Sequence, residues 1–216
     1  MEFERNRRIE SAALSEGKTK ENQLEEDSYT LSQWVKNNPT LRISLIAILS
    51  ALGPALSISF IWFPYFELLS FTIFISGIIL GTKDGLIVGF ISSVIYEVLS
   101  TVIMGFALVI YPFKLLGFLL IAVVGGLIGK SNSNKKQISW NFFIAILGGL
   151  LTIFYDLLTN LGYLFFTNFQ FNSFLSLLVT SLPVTAIRVI TNSILFFFIP
   201  MLLSRVFLPM LKQEGN

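Results

Sequence analysis

Six hydrophobic stretches, separated by short turns, fill the chain from Thr40 onward. Each is close to the ~20 residues that a helix needs to cross a bilayer, the second being the shortest and the last long enough to tilt. The pattern predicts an all-α integral membrane protein with six transmembrane helices. The predicted spans are Leu41–Trp62, Tyr65–Gly81, Asp84–Gly105, Pro112–Lys130, Asn141–Phe166 and Phe174–Ser204.

The lysines and arginines predict the orientation of these spans. Basic residues collect at the termini and at the even-numbered turns, whereas the opposite side carries only Lys114. Because cytoplasmic loops of membrane proteins are enriched in Lys and Arg, both termini are expected in the cytoplasm of a multi-pass protein of the cell membrane. The residues on the basic side are Arg42, Lys83, Lys130, Lys135, Lys136, Arg205 and Lys212.

The N-terminal region differs from this membrane domain in composition. Residues 1–40 contain six basic and eight acidic side chains, against nine and five in the remaining 176 residues of the 216-residue chain. Residues 1–39 are therefore expected to be a polar cytoplasmic tail, disordered over 1–27, with a possible interfacial helix at 28–38 anchored by Trp34. The membrane domain is predicted at 40–206, followed by a short cytoplasmic tail at 207–216.

Composition weakens most enzyme interpretations. The chain is 54% hydrophobic and contains neither cysteine nor histidine, so it lacks thiol nucleophiles and the commonest general base and metal ligand. An intramembrane aspartyl protease would need a second aspartate in a Gly-x-Gly-Asp setting, which Asp84 does not have. Phospholipid-synthesising transferases need carboxylates three or four residues apart, and the carboxylates of the predicted spans are more widely separated. No enzyme activity, metal or cofactor is predicted.

Five ionisable residues nevertheless lie inside the hydrophobic spans. Counted from the predicted cytoplasmic ends, they share a depth of roughly 20 to 24 Å at a rise of about 1.5 Å per residue. A charge that faced lipid there would cost at least about 2.5 to 3.5 kcal/mol, so such charges usually face a bundle interior, a partner or a ligand. The layer predicts a solute site in the outer part of the membrane, formed by Glu67, Glu97, Lys114, Asp156 and Arg188.

Helical periodicity extends this layer into two polar stripes. We expect one stripe on helix five and one on helix six to face inward, where an arginine fork suits an anion and Asp or Asn side chains suit a heterocycle or hydroxyl. Three alternatives stay open: Asp156 and Arg188 only neutralise each other, Glu97 pairs with Lys114, and Glu67 is merely solvated. The stripes are Thr152, Asp156, Asn160 and Tyr163, with Tyr155 and Thr159 at the margins, and Ser181, Thr185, Arg188 and Asn192.

Small residues at four-residue spacing mark close helix contacts. Such spacing lets backbones approach each other in lipid, where the hydrophobic effect does not drive helix association. Internal packing is the ordinary explanation for both series that the chain contains. The series are Ala47, Ala51 and Ala55 in the first span, and Gly77, Gly81, Gly85 and Gly89 across the second turn.

Aromatic residues crowd two of the connections on the predicted outer side. An interfacial belt explains most of them, and a stacking lid over a flat ligand is the sharper alternative. The two groups are Phe60, Trp62, Phe63, Tyr65 and Phe66, and Phe165, Phe166, Phe169, Phe171 and Phe174.

Over residues 41 to about 206 the chain resembles the S components of energy-coupling factor (ECF) transporters, which bind vitamins and related micronutrients. The resemblance rests on six spans with the alanine stripe in the first, the glycine series joining helices two and three, and Gly125, Gly126 and Gly129 closing helix four. Pro183, Arg188 and Asn192 in the last helix also resemble the family pattern. Thr82 departs from it, because a proline commonly follows the preceding glycine.

The resemblance implies a function and a set of partners. It implies that solute binds on the outer side, under the loop between helices one and two, and that Ala47, Ala51 and Ala55 dock a transmembrane coupling subunit. Two ATPase subunits would supply energy, since this chain has no Gly-x-x-x-x-Gly-Lys-Ser/Thr phosphate loop. The expected substrate-binding residues are Glu67, Glu97, Lys114, Tyr155, Asp156, Asn160, Arg188 and Asn192.

A non-catalytic membrane scaffold similar to the MreD-type rod-shape proteins is the alternative. Such a scaffold has a comparable hydropathy profile. It would not need a layer of charges inside the outer half of the membrane, and this difference favours the transporter interpretation.

Overall fold

A computed structural model describes residues 35, 37–63, 66–104, 109–130, 137–167, 170–203 and 205. Within these ranges the regular structure is entirely helical, which confirms the predicted all-α class. The helices are α1 (Pro39–Ser59), α2 (Leu68–Leu80), α3 (Thr82–Met104), α4 (Tyr111–Lys130), α5 (Gln137–Tyr163), a 3₁₀ turn (Leu164–Thr167), α6 (Phe171–Phe197) and α7 (Ile199–Leu202).

Five of these helices, α1 and α3 to α6, are long and apolar enough to cross a membrane. Helix α2 has only 13 residues, so it spans about 20 Å of a hydrocarbon core that is about 30 Å thick. It begins at Leu68 rather than at the predicted Tyr65, and Glu67 occupies its N-cap. Ten of its 13 residues are buried, because α1, α3 and α4 all pack against it. The shortest span is thus the centre of the bundle.

The last predicted span is interrupted. Helix α6 begins at Phe171, earlier than expected, and ends at Phe197, after which Phe198 separates it from α7. Pro200 explains the break, since proline has no backbone N–H and its ring collides with the carbonyl four residues earlier.

Glycines bring the backbones of α2, α3 and α4 into direct contact. A Cβ on Gly77 would lie 2.5 Å from the carbonyl oxygen of Ala122, and one on Gly126 would lie 2.5 Å from Thr82 Cα. A Cβ on Gly85 would lie 2.7 Å from Gly77 Cα, so no larger residue fits without movement. We call Gly77, Gly85 and Gly126 the glycine seam. The internal packing predicted for the glycine series is confirmed at Gly77 and Gly85.

The α2–α3 turn uses a glycine for a different reason. Gly81 has a φ of +84°, a conformation that residues with a Cβ rarely adopt. Helix α3 starts immediately afterwards at Thr82, and Arg42 at the start of α1 donates two hydrogen bonds of 2.5 Å to buried Asp84 in its first turn. Asp84 is therefore an ion-pair partner within a helix. We call this side of the bundle the Gly81 end, and the opposite side the Glu67 end.

Helices α5 and α6 form a hairpin beside the α1–α4 group. They pack chiefly against each other, and α5 also contacts α4. Phe196 fastens the hairpin to the central helix, because its ring packs against Phe74 with centroids 4.8 Å apart. At the Glu67 end, the space between the group and the hairpin is left open.

The predicted N-terminal helix at 28–38 lies largely outside the described residues, as do the predicted tails at 1–27 and 207–216. Val35 and Asn37 are helical, and Val35 is 2% exposed and packed into the hydrophobic core. At this position the chain contacts the bundle, which a fully solvated leader would not do.

Candidate functional site

A cavity of about 410 Å³ lies at the Glu67 end, within the size range of small-molecule sites. Helices α1 to α6 and the connection between α1 and α2 contribute to its wall. The lining residues are Ser57, Phe60, Ile61, Trp62, Phe63, Phe66, Glu67, Leu69, Tyr96, Lys114, Phe118, Tyr155, Thr159 and Arg188.

A three-membered ion cluster forms one side of the cavity. Arg188 lies between two carboxylates: its Nη2 is 2.7 Å from Glu67 Oε1, and its Nη1 donates to Asp156 Oδ1. The amide of Asn192 donates to Glu67 Oε2 at 3.2 Å and to Thr152 Oγ1 at 2.9 Å. The carboxylate side chains are only 10% and 8% exposed, so Glu67 is a buried ion-pair partner rather than a solvated residue.

A second ion pair lies on the side formed by α3 and α4. Lys114 Nζ donates to both carboxylate oxygens of Glu97, at 3.1 and 3.2 Å. The Glu97 side chain is 9% exposed and that of Lys114 is 22% exposed. Lysine is the member of this pair that reaches the cavity.

Aromatic rings line the cavity between the two groups of charged residues. Tyr155 and Phe118 pack with ring centroids 4.8 Å apart, and the Arg188 guanidinium carbon lies 5.7 Å from the centroid of Tyr155. Gly117 permits this approach, because a Cβ there would lie 2.6 Å from Tyr155 Cδ2. Tyr96 completes the group from α3.

The connection between α1 and α2 covers the cavity with further aromatic residues. Phe60 and Phe66 have centroids 6.1 Å apart, and both line the cavity with Trp62 and Phe63. Trp62 lines the cavity and is also 74% exposed, so this segment lies between the cavity and the protein surface. Of the second predicted aromatic group, the side chains that the structure describes are Phe165, Phe171 and Phe174, and none of these lines the cavity. Phe165 packs against Phe113 with ring centroids 5.7 Å apart.

Half of the expected substrate-binding residues reach the wall. Glu67, Lys114, Tyr155 and Arg188 line the cavity. The structure places the other four behind the wall, where they hold the lining residues or tie helices together: Glu97, Asp156, Asn160 and Asn192.

On α5, the residues that face the cavity lie one position earlier in the sequence than the predicted stripe. Tyr155 and Thr159, predicted at the margins, face the cavity, whereas Asn160 donates to Ser181 Oγ of α6 at 3.2 Å. Polar residues on α5 thus serve the α5–α6 contact, which is the most extensive helix pair. Tyr163 is 40% exposed and lies outside this cavity.

Sequence reasoning missed several lining residues. Ser57 and Tyr96 carry polar atoms at the depth of the charged layer, and that depth is the signal that could have identified them. Phe118 and Leu69 gave no such signal, because their side chains resemble the core residues around them.

Some polar atoms of the site have no hydrogen-bond partner among the described residues. These are Ser57 Oγ, Asp156 Oδ2, Arg188 Nε and Asn192 Oδ1. Ser57 is 7% exposed and lines the cavity, so its hydroxyl can serve a bound molecule. Among the described residues no group of three His, Asp or Glu side chains could hold a metal ion.

The alanine stripe faces away from the bundle. Ala47, Ala51 and Ala55 are all exposed, together with neighbouring Ile48 and Leu52. Packing within this chain therefore does not explain the stripe, unlike the glycine seam.

Comparison with known proteins supports a transporter subunit. Residues 41–200 match the family model described as ECF transporter, substrate-specific component. No curated protein and no solved structure matches the chain. The match covers nearly all of α1 and the whole of α2 to α6, including the cavity wall and the exposed alanine stripe, and the chain belongs to the family of ECF transporter substrate-specific components.

Proposed function

We propose that this chain captures a vitamin or related micronutrient from outside the cell and releases it inward when a partner module hydrolyses ATP. The observation that carries the proposal is the cavity at the Glu67 end, lined by buried ion pairs and aromatic rings. Buried charges are costly in a membrane and usually mark a ligand or ion pathway. Membership of the family supports assigning that pathway to solute capture.

The site residues take two roles in this proposal. Glu67, Lys114, Tyr155 and Arg188 contact the solute from the cavity wall. Glu97, Asp156 and Asn192 hold those side chains from behind, so fewer of their conformations are lost when the solute binds. Asn160 instead ties α5 to α6. The aromatic connection between α1 and α2 covers the solute.

The exposed alanine stripe is proposed as the docking face for the coupling subunit. Small side chains let a partner helix approach the α1 backbone closely, and this contact requires a face that is free in the isolated chain. With both termini in the cytoplasm, the Glu67 end faces outward and the Gly81 end faces the ATPases.

The proposal is tested by Ala51→Trp. The bulky side chain should block the partner helix while leaving the buried core untouched, so melting temperature and solute binding should be unchanged whereas transport and co-purification with the coupling subunit are lost. Leu150→Trp is the matched control, because Leu150 is 58% exposed on α5, away from the stripe. Mass spectrometry of solute retained through purification supplies the compound for the assay. Transport by Ala51→Trp at the control rate would contradict the docking assignment.

A further inference from the structure

We infer that the solute is an organic monocation with an aromatic or heteroaromatic ring, an inference that rests on the proposed function. The starting point is the charge of the cavity. Three carboxylates and two cationic side chains surround it, so with all five ionised the site has a net charge of −1. An uncompensated buried charge is strongly unfavourable and is relieved by a proton or by a counter-ion. We assign the counter-ion role to the solute, because the contacts and the aromatic wall described below favour a cation at this position.

The contacts show where the surplus charge lies. Lys114 and Glu97 neutralise each other, since both carboxylate oxygens accept from the same ammonium group. Arg188 and Asp156 form a second pair behind the wall. Glu67 is the third carboxylate, and among the acidic residues described it is the one that lines the cavity. The unbalanced negative charge is therefore at the surface that a solute would touch.

The same contacts make an anionic solute unfavourable. Arg188 already directs Nη1 and Nη2 at carboxylates and leaves Nε as its unpartnered nitrogen. A carboxylate or phosphate of the solute that bound Arg188 would therefore compete with two protein carboxylates and lie beside them, where like charges repel. The sequence-based expectation that Arg188 anchors an anion is replaced by a different role, in which Arg188 holds Glu67 in place.

The aromatic wall supplies an independent argument. Tyr96, Phe118 and Tyr155 surround the deep part of the cavity, and the α1–α2 connection adds further rings above. Ring faces carry negative electrostatic potential, so they attract cations and repel anions, and they also stack on flat solutes. Ser57 Oγ, buried and unpartnered on the same wall, can bond a hydroxyl or ring nitrogen of the cation.

Three ring-bearing probes of similar size test the inference on the purified full chain: benzyltrimethylammonium, 4-phenyl-1-butanol and 3-phenylpropionate. We expect the cation to bind about tenfold or more tightly than the alcohol and the acid, because it alone satisfies both Glu67 and the rings. Binding is measured by calorimetry and by the shift in melting temperature. Equal affinities, or tightest binding of 3-phenylpropionate, would overturn the inference.

The variant Glu67→Gln tests whether Glu67 is responsible for the preference for a cation. This variant removes the surplus charge while keeping the shape of the side chain, so the preference for benzyltrimethylammonium over 4-phenyl-1-butanol should disappear. Glu67→Asp should retain the preference, and Asp84→Asn removes a negative charge at the Gly81 end and should leave it unchanged. A preference that persists in Glu67→Gln would contradict the assignment. If Glu67→Gln does not fold, the relative affinities of the wild-type chain for the three probes still test the inference.

The outcomes separate this inference from the proposed function. Recovery of a neutral or anionic solute that the wild-type chain transports would overturn the cation and leave the transporter subunit intact. Absence of retained solute, of probe binding and of transport would contradict both.

Discussion

The two ends of the helical bundle are built on opposite principles. At the Gly81 end the glycine seam brings backbones of α2, α3 and α4 together so closely that a single methyl group would not fit at Gly126. At the Glu67 end, charged and aromatic side chains hold the same helices and the α5–α6 hairpin around about 410 Å³ of open space. The backbones are in direct contact at one end, whereas side chains surround a cavity at the other.

Helix α2 runs from the cavity to the glycine seam in 13 residues. Its N-cap Glu67 carries the surplus charge of the cavity, and Gly77 near its other end lies in the seam. Because the seam contains no side chains, changes in the cavity wall need not disturb it. Such a division allows the solute specificity of one end to vary while the other keeps the helices in register.

The largest effect is expected from removing the cation at the centre of the ion cluster. Arg188→Met keeps much of the side-chain length but leaves Glu67 and Asp156 buried without a counter-charge. Breaking a buried ion pair in this way costs about 3 to 5 kcal/mol, so the melting temperature should fall sharply. Thermal unfolding in detergent, followed by tryptophan fluorescence, measures the loss. An unchanged melting temperature would show that the cluster does not stabilise the Glu67 end.

Combined variants sharpen this result. If Arg188 served only Asp156, the double variant Arg188→Met/Asp156→Asn would recover full stability. Since Glu67 is also bonded to Arg188, we expect partial recovery in the double variant and further recovery when Glu67→Gln is added. The triple variant should be stable yet show no preference for a cation. Full recovery in the double variant would contradict a role for Glu67 in the cluster.

The ion cluster also illustrates what the sequence could predict. The common depth of the five ionisable residues followed from helix geometry, and the structure brings three of them to one cavity wall with their partners directly behind. The second ion pair of Arg188, with Glu67, could not be predicted, because it joins the N-cap of α2 to α6 across 121 positions of sequence. Periodicity identifies which residues share a face but leaves the rotation of the helix open by one position, as Tyr155 and Thr159 illustrate.

The next effect concerns the seam. Gly126→Ala places a methyl group 2.5 Å from Thr82 Cα, where backbone must move to accept it. Overpacking of this kind costs about 1 to 3 kcal/mol. Gly89→Ala is the matched control, since the nearest atom to its Cβ is a side-chain methyl of Ile73 at 3.4 Å, and alanine favours the helix. A smaller loss in melting temperature for Gly126→Ala than for Gly89→Ala would remove the contrast between the two ends.

Some helix boundaries could be predicted from the local sequence, whereas others depend on tertiary packing. Five long spans and the end of the second span at Gly81 followed from hydropathy. The positive φ of Gly81 did not, since this glycine was predicted to belong to a packing series. The short length of α2 did not, because its hydrophobicity continues into an aromatic connection that is apolar without being helical. Burial by three neighbouring helices allows α2 to be shorter than the membrane is thick, and that is a tertiary property.

The smallest effect tests the side chains behind the wall. Ser181→Ala removes the acceptor of the Asn160 amide and therefore one hydrogen bond between α5 and α6. Hydrogen bonds between membrane helices average about 0.6 kcal/mol, so the melting temperature should fall by only about 1 to 2 °C. Thr180→Val is the matched control, because the Thr180 hydroxyl bonds Ser176 within α6 and joins no helices. Affinity for the retained solute, measured on both variants, should be unchanged, since Asn160 does not line the cavity. A tenfold loss of affinity in Ser181→Ala alone would make Asn160 a solute contact and would return polar residues of the α5 stripe to the binding site.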